Sequence, residues 1–422
     1  KGTPDLIESL NVSSYKITPD RYFSICGVVK NISLYTRRIS GVCAIETACN
    51  LLFADRVLSS AAKIPFPGAT SAAATSFSVF IAFSVPLACY DIDMKKLDFL
   101  GIGDPVIDAF IKLQNPEITC DIDDENCKIS MNWGDKIPFE GVTVVPAVGN
   151  AANATVSAHR LGLTSGLMAW IGDDKFGDEI KNQLKKEGID RTYLTRQRGM
   201  GSNYHYVLSY KAERTILVKH HEYDYKLPKL SPPKYMYLSS LAENSLPFQH
   251  EIADYVQRHP DIRLAFQPGT FQINQGYEAL KDLYKASYLF FCNKDEAKRI
   301  LQTDENDIGK LLVMMHKKGP KIPIITDGPN GAHSYDGNRH LFVPMYPDPK
   351  EPVDRTGAGD SFSSTVTAAL ALGEPLESAL LWGPINSMSV VQYIGAQEGL
   401  LKRGKLLDFL EHAPDNYKVQ EL

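Results

Sequence analysis

From Met94 onward, short apolar runs alternate with stretches of helical periodicity, and no other feature restricts the fold so tightly. The first run is LDFLGIG at 97–103. Leu161-Gly162 closes a helix that begins near Asn153, and Ser165–Ile171 then reads as a strand. Phe176, Ile180 and Leu184 recur at four-residue spacing before Gly188, which marks a helix stopped by glycine. IRLAF (262–266), SYLFFC (287–292) and IPIIT (322–326) are continuous apolar runs, as expected of strands covered on both faces. The pattern predicts a layered α/β fold with a mainly parallel central sheet. Two stretches, roughly 116–147 and 199–227, alternate polar and apolar residues instead, and predict a small antiparallel lid with one wet face.

Composition limits what such a fold does. Lys and Arg number 45 against 50 Asp and Glu, a net charge of −5, so there is no excess of positive charge for gripping nucleic acid. The seven cysteines contain no C-x-x-C pair, and a sparse, odd count suits a reducing cytoplasm, with Cys120 and Cys127 expected as free thiols. Asp121–Glu125 lacks the glycine and terminal Glu of a calcium loop and reads as a solvated acidic turn. His220-His221 reads as a surface pair at a strand end.

A break falls near residue 94. All nine methionines and all three tryptophans lie at or after it, whereas four of the seven cysteines precede it. Residues 1–93 also hold the charge-free run Ile64–Tyr90, long enough to span a bilayer but diluted by Ser, Thr, Gly and three prolines. Met94-Lys-Lys-Leu-Asp-Phe reads as a natural chain start. The expectation is therefore a poorly ordered extension over 1–93, outside the biological protein and not a membrane span, joined to a functional domain over 94–422.

Chemistry concentrates in Asp354-Arg-Thr-Gly-Ala-Gly-Asp-Ser-Phe362, which precedes a helix whose buried stripe is Phe362, Val366, Ala369 and Leu370. Gly357-Ala358-Gly359 thus sits at a helix N-terminus, where unpaired N–H groups and the helix dipole receive phosphate oxygens. Asp360 projects from the first turn beside that anion hole, placed to accept a proton from a hydroxyl. There is no G-x-x-x-x-G-K-[ST] loop and no protein-kinase signature set.

DRTGAGDSF resembles the signature of the ribokinase-like, or PfkB, carbohydrate kinases, and the resemblance extends over about 98–400. It implies a ribokinase-like three-layer α/β/α fold with a mainly parallel central sheet and a small β-sheet lid. Gly101-Ile-Gly-Asp-Pro-Val-Ile-Asp108 is similar to the family element whose aspartate binds substrate hydroxyls, which makes Asp108 the matched residue. Val148-Gly149-Asn150-Ala-Ala-Asn153 is similar to the Gly-Gly-x-x-x-Asn element, with Val148 in place of the first glycine, and implies Gly149, Asn150 and Asn153 at the substrate. Asn293-Lys-Asp-Glu296 resembles the N-x-x-E element that helps place Mg²⁺ through water; a capping box explains the same residues. Thr326, Gly328 and Gly331 resemble the nucleotide-side turn, Thr356, Gly357 and Gly359 the phosphate side, and Asn386 an adenine-side contact. Asp354, with carbonyls near Gly395, matches a monovalent-cation site for K⁺. At Arg355 the family commonly has Ser or Thr.

The reading that results is an ATP- and Mg²⁺-dependent cytoplasmic kinase acting on an alcohol group of a small sugar. A nucleoside kinase of the same fold and a catalytically silent sugar-binding protein stand as alternatives. Tyr204, Tyr206 and Phe110 are the aromatic residues that would sandwich a purine in the nucleoside case. A lid with an apolar face would pair two subunits as a homodimer.

Overall fold

The computed structural model describes residues 96–120, 127–210 and 213–422. The extension over 1–93 with its apolar run, the acidic turn at 121–125 and the turn residues 211–212 lie outside the described residues.

The chain enters through β1 (Phe99–Ile102) and passes at once into β2 (Val106–Leu113). A short hairpin, β3 (Glu117–Thr119) and β4 (Lys128–Ser130), precedes the long β5 (Phe139–Val148) and helix α1 (Asn150–Arg160). β6 (Ser165–Gly172), α2 (Lys175–Lys186) and β7 (Leu194–Gln197) follow, then β8 (Asn203–Tyr210) and β9 (Glu213–Leu217). Regular alternation resumes with β10 (Tyr235–Leu238), α3 (Leu246–Arg258), β11 (Arg263–Phe266), α4 (Thr270–Gln275), α5 (Tyr277–Ala286) and β12 (Ser287–Asn293). Then come α6 (Lys294–Leu301), α7 (Ile308–Lys317), β13 (Ile322–Thr326), β14 (Ala332–Tyr335) and β15 (His340–Val343). Helices α8 (Ala358–Ala371), α9 (Leu376–Val390) and α10 (Arg403–Glu411) and the edge strand β16 (Gln420–Glu421) complete it.

The main sheet runs β16-β15-β14-β13-β12-β11-β10-β1-β6-β7; β13 through β7 are mutually parallel, and the three strands on the far edge are antiparallel. Its strands feed both faces because side chains alternate. In β10, Met236 and Leu238 pack with Phe248, Leu283 and Leu311 on one face, while Tyr235 and Tyr237 pack with Phe362, Val366 and Trp382 on the other. This is a three-layer α/β/α fold. The near-continuous apolar runs of the sequence follow from coverage on both sides.

The lid differs from the sequence expectation in composition and direction. Its four strands run β5-β2-β8-β9, and β2 pairs parallel with β8. β2 falls between the expected opening strand (97–103) and the expected lid segment (116–147), yet it forms the centre of the lid. Residues 218–227 form no strand: Tyr223 and Tyr225 turn inward and join the core around Phe248. Cys120 and Cys127 are joined as a disulfide, correcting the free-thiol expectation; antiparallel pairing of β3 with β4 brings their Cα atoms to 4.0 Å. Among the described residues no helix is long and apolar enough to cross a membrane.

Candidate active site

Helix α8 starts within the Gly357-Ala358-Gly359 turn. Its N-cap is Gly357, with φ +82°, and no side chain caps the helix; the Ala358 N–H donates to the Arg355 carbonyl at 3.4 Å, and the turn is otherwise uncovered by side-chain caps. A Cβ at Gly357 would lie 2.4 Å from the Cβ of Ala396, so the loop closes on the helix start only because glycine stands there. Asp354 holds the preceding turn: Oδ1 accepts from the Thr356 N–H and hydroxyl at 2.9 and 2.7 Å, and Oδ2 accepts from the Gly395 N–H at 2.9 Å.

Asp360 occupies the third helical position and is buried. Asn150 Nδ2 and Gln267 Nε2 donate to its Oδ1 at 2.7 and 3.2 Å, and Asn153 Nδ2 donates to Oδ2 at 2.9 Å. Burial pushes this carboxyl above the ordinary aspartate value, against the opposing pull of the three amides and the Arg214 charge. Gln267 is oriented in turn by Ser363 Oγ, 3.0 Å away, and by the Tyr237 hydroxyl. Gln397 Nε2 fixes Asn153 Oδ1 at 3.0 Å.

Two cavities flank this helix start. One, about 360 Å³, is lined by Thr326, Gly328, Gly331, Met345, Pro384 and Val391; the other, about 400 Å³, by Asp108, Gly149, Asn150, Asn153, Gln267 and Asp360. Thr326, Arg355, Ala358, Gly359 and Phe362 line both. The cavities therefore meet at the helix N-terminus, with the buried carboxylate on one side of the junction. Asn293 and Glu296 line the second cavity while forming a reciprocal capping box at 2.9 and 2.8 Å, so the capping reading of that element holds. Burial raises the Glu296 carboxyl, opposed by the Asn293 N–H.

Residues 136–403 match the pfkB family of carbohydrate kinases, well over half of the chain. The chain belongs to that family. As a pfkB-family kinase it is a phosphotransferase with an alcohol acceptor, its substrate a small molecule of the sugar or nucleoside class. It is 28% identical over 291 residues to ribokinase from Bacillus subtilis (strain 168), an alignment covering 65% of this chain and 94% of that one. Among solved structures, Arabidopsis thaliana ribokinase complexed with ribose and ATP superposes with a TM-score of 0.62 at 16% identity, covering 75% of this chain and 99% of that one. Methanocaldococcus jannaschii nucleoside kinase gives 0.61 at 19% identity, covering 75% and 99%. At those identities the structural likeness concerns the fold.

The kinase brings most of the sequence-selected residues together around the α8 start, but not Asn386. Asn386 lines neither cavity: it is fully buried, donates to Thr365 Oγ1 at 2.7 Å and accepts from the Leu401 N–H at 2.9 Å, so the adenine-side assignment gives way to a structural one. Its helix neighbours Ser387 and Met388 line the first cavity instead. His220 is not a surface residue. Its Nε2 lies 3.2 Å from Oδ2 of fully buried Asp104, which also accepts from the Tyr225 hydroxyl; burial raises the Asp104 carboxyl against these partners. Val148 is buried and lines neither cavity, leaving Gly149, with φ +103°, to face the site.

The sequence reading missed Gln267, Arg214 and His205, all on the second cavity. Gln267 carried a usable signal: it directly follows the buried strand IRLAF, as Thr326 ends IPIIT. The lid residues carried none, since alternate positions of a half-exposed strand look alike. Tyr204 and Tyr206 face away from the cavity, with ring centroids 4.8 Å (Phe176 to Tyr204) and 5.2 Å (Tyr204 to Tyr206) apart in a row on the outer side of the lid.

Proposed function

We propose that the chain transfers the γ-phosphoryl of ATP to a hydroxyl of a small sugar, with Asp360 as general base and the N–H groups of Gly357–Gly359 as anion hole. The observation that carries this reading is the meeting of two cavities across an uncapped helix start beside a buried carboxylate. The first cavity, with Thr326, Gly328 and Gly331, suits the nucleotide, and Arg355 and Thr356 its phosphates. The second, with Asp108, Gly149, Asn150 and Asn153, suits the acceptor. Asp360 would take the hydroxyl proton while the helix N-terminus stabilises charge on the phosphoryl in flight.

A nucleoside acceptor is the second reading. A sugar is favoured because the lid turns Ile216, Val218, His205 and Arg214 toward the cavity and keeps Tyr204 and Tyr206 outside it. Asn293 and Glu296 would hold Mg²⁺ through water, and the ion would offset charge on the phosphates. Among the described residues no three His, Cys, Asp or Glu side chains form a metal cage, which suits an ion that keeps its waters and leans on substrate phosphates. Asp354 and the Gly395 turn are the proposed K⁺ locus, since three donors leave its carboxylate one lone-pair direction.

We assign the functional unit to 94–422, with its lid built from 106–148 and 203–217. Val142, Val144, Tyr206 and Leu217 are exposed on the outer lid face, and two copies would pair there as a homodimer. ADP formation by the full chain with Mg²⁺-ATP, against pentoses, hexoses and nucleosides, tests the function. Turnover of a sugar, lost in Asp360→Asn, supports the reading; turnover of nucleosides alone selects the second reading; ATP binding without turnover of any acceptor removes both.

A further inference from the structure

Four buried polar atoms without a hydrogen-bond partner gather at the root of the lid: Asp104 Oδ1, Asp108 Oδ1, Asn203 Nδ2 and His205 Nε2. Buried polar groups are ordinarily paired, so a local group of such atoms calls for an account. The register explains the proximity. β2 and β8 run parallel with Asp108 opposite His205 and Val106 opposite Asn203, so the polar residues of the two strands fall on the lid face turned to the acceptor cavity.

His205 Nδ1 lies 3.4 Å from Asp108 Oδ1, within ion-pair reach but outside hydrogen-bond geometry, with side chains 14% and 11% exposed. Asp108 Oδ1 is sealed from solvent, so the imidazole meets the carboxylate from behind, on the oxygen that a ligand does not reach. The ring also faces His220, at 6.1 Å between centroids, which is tied to Asp104 and stacks edge-on against Phe271 at 5.9 Å. Arg214 is the cationic residue of β9 on the same face of the lid.

We infer that His205 is a positioning residue for acceptor recognition: it fixes the rotamer of Asp108 by engaging one carboxylate oxygen and leaves the other for acceptor hydroxyls. The inference deepens the acceptor-side reading given above and rests on it. A carboxylate free to rotate would present either oxygen, and the acceptor would pay for ordering it. Nothing in this role touches the nucleotide or Asp360, so the effect belongs in the acceptor KM.

The test uses the full chain, with D-ribose as the acceptor probe, and compares His205→Asn with His205→Leu. An Asn amide reaches the position of Nδ1 and keeps a donor toward Asp108; Leu keeps volume and loses it. The expected result is an acceptor KM about tenfold higher in His205→Leu, as a sealed carboxylate oxygen loses its nearest polar neighbour, and within about threefold of wild type in His205→Asn. The kcat and the ATP KM stay within about twofold in both. Equal damage in the two variants, or loss of kcat and ATP affinity along with acceptor KM, overturns the inference in favour of a packing role. A separate readout covers a wild type that leaves D-ribose untouched, which counts against the acceptor reading. Denaturation midpoints of His205→Leu, Asp108→Leu and the double variant then decide the pairing: non-additive shifts support it, and additive shifts overturn it.

Discussion

Asn153 Nδ2 and Asp360 Oδ2, 207 positions apart in the chain, lie 2.9 Å apart with both residues buried. That contact joins the N-termini of α1 and α8, so the helix that lines the acceptor cavity also holds the proposed base. Asn150 and Gln267 complete the enclosure, and a carboxylate so held is oriented before any substrate arrives.

Replacing Asp360 with Asn should lower kcat by about 10²–10⁴, the usual weight of a general base, while the ATP dissociation constant changes less than about threefold. Turnover by ADP release and ATP binding by calorimetry measure the two separately. Undiminished turnover would reject the assignment.

The pH profile follows from the same burial. Because the Asp360 carboxyl is raised above 3.8 and the base works deprotonated, activity should rise with pH through that raised value, and the acid limb of kcat/KM should sit above that of an ordinary aspartate. Asn153→Leu removes a donor to the charged form, so the limb should move further up. A limb that stays in place when Asn153 is changed would show that another group sets it.

Gly357→Ala forces a side chain into a left-handed backbone and against Ala396. Strain and overlap together should cost about 2–4 kcal/mol in denaturant unfolding, and the ATP KM should rise because the loop before α8 cannot close as drawn.

At the root of the lid, Tyr225→Phe should destabilise the chain by about 1.5–3 kcal/mol, because Asp104 already has one unpartnered oxygen and would lose a donor to the other. The sign with pH is fixed. The Asp104 carboxyl is raised in the folded state, so its stability contribution is best below the unfolded value of 3.8 and falls as pH rises through the raised one. Thermal unfolding between pH 4 and 8 should show the variant's deficit growing with pH.

On the outer lid face, Val144→Lys should convert a dimer to monomers in sedimentation while leaving the fold intact, since Val144 is 46% exposed in one copy. An unchanged sedimentation profile would remove the lid from the subunit contact.

Much of this was legible because strands covered on both faces leave uninterrupted apolar runs: IPIIT is β13 residue for residue. The start of α8 was legible because the Gly-Ala-Gly run precedes an apolar helical stripe. Asn386 misled because a polar residue in a helix looks the same whether it faces a ligand or, as here, satisfies Thr365 and the Leu401 N–H inside the core. His220 misled for the complementary reason: its partner Asp104 is 116 positions away, and no local pattern announces that pairing. The lid was misdrawn at β2, whose parallel partner β8 lies almost a hundred residues downstream; pairing over that distance leaves no periodicity of its own.

Only three residues separate the last residue of β1 from the first of β2, so a strand of the fixed sheet runs almost directly into a strand of the lid. Asp108 lies on the lid side of that joint, and Asp360 lies in the helix packed on the main sheet. On the proposed function, any displacement of the lid about that joint would change the distance between the two carboxylates, so a hydroxyl compound held by Asp108 would approach Asp360 as the lid approached the sheet. Capture and closure would then be one mechanical event, and a change that stiffens residues 103–105 should slow both by the same factor.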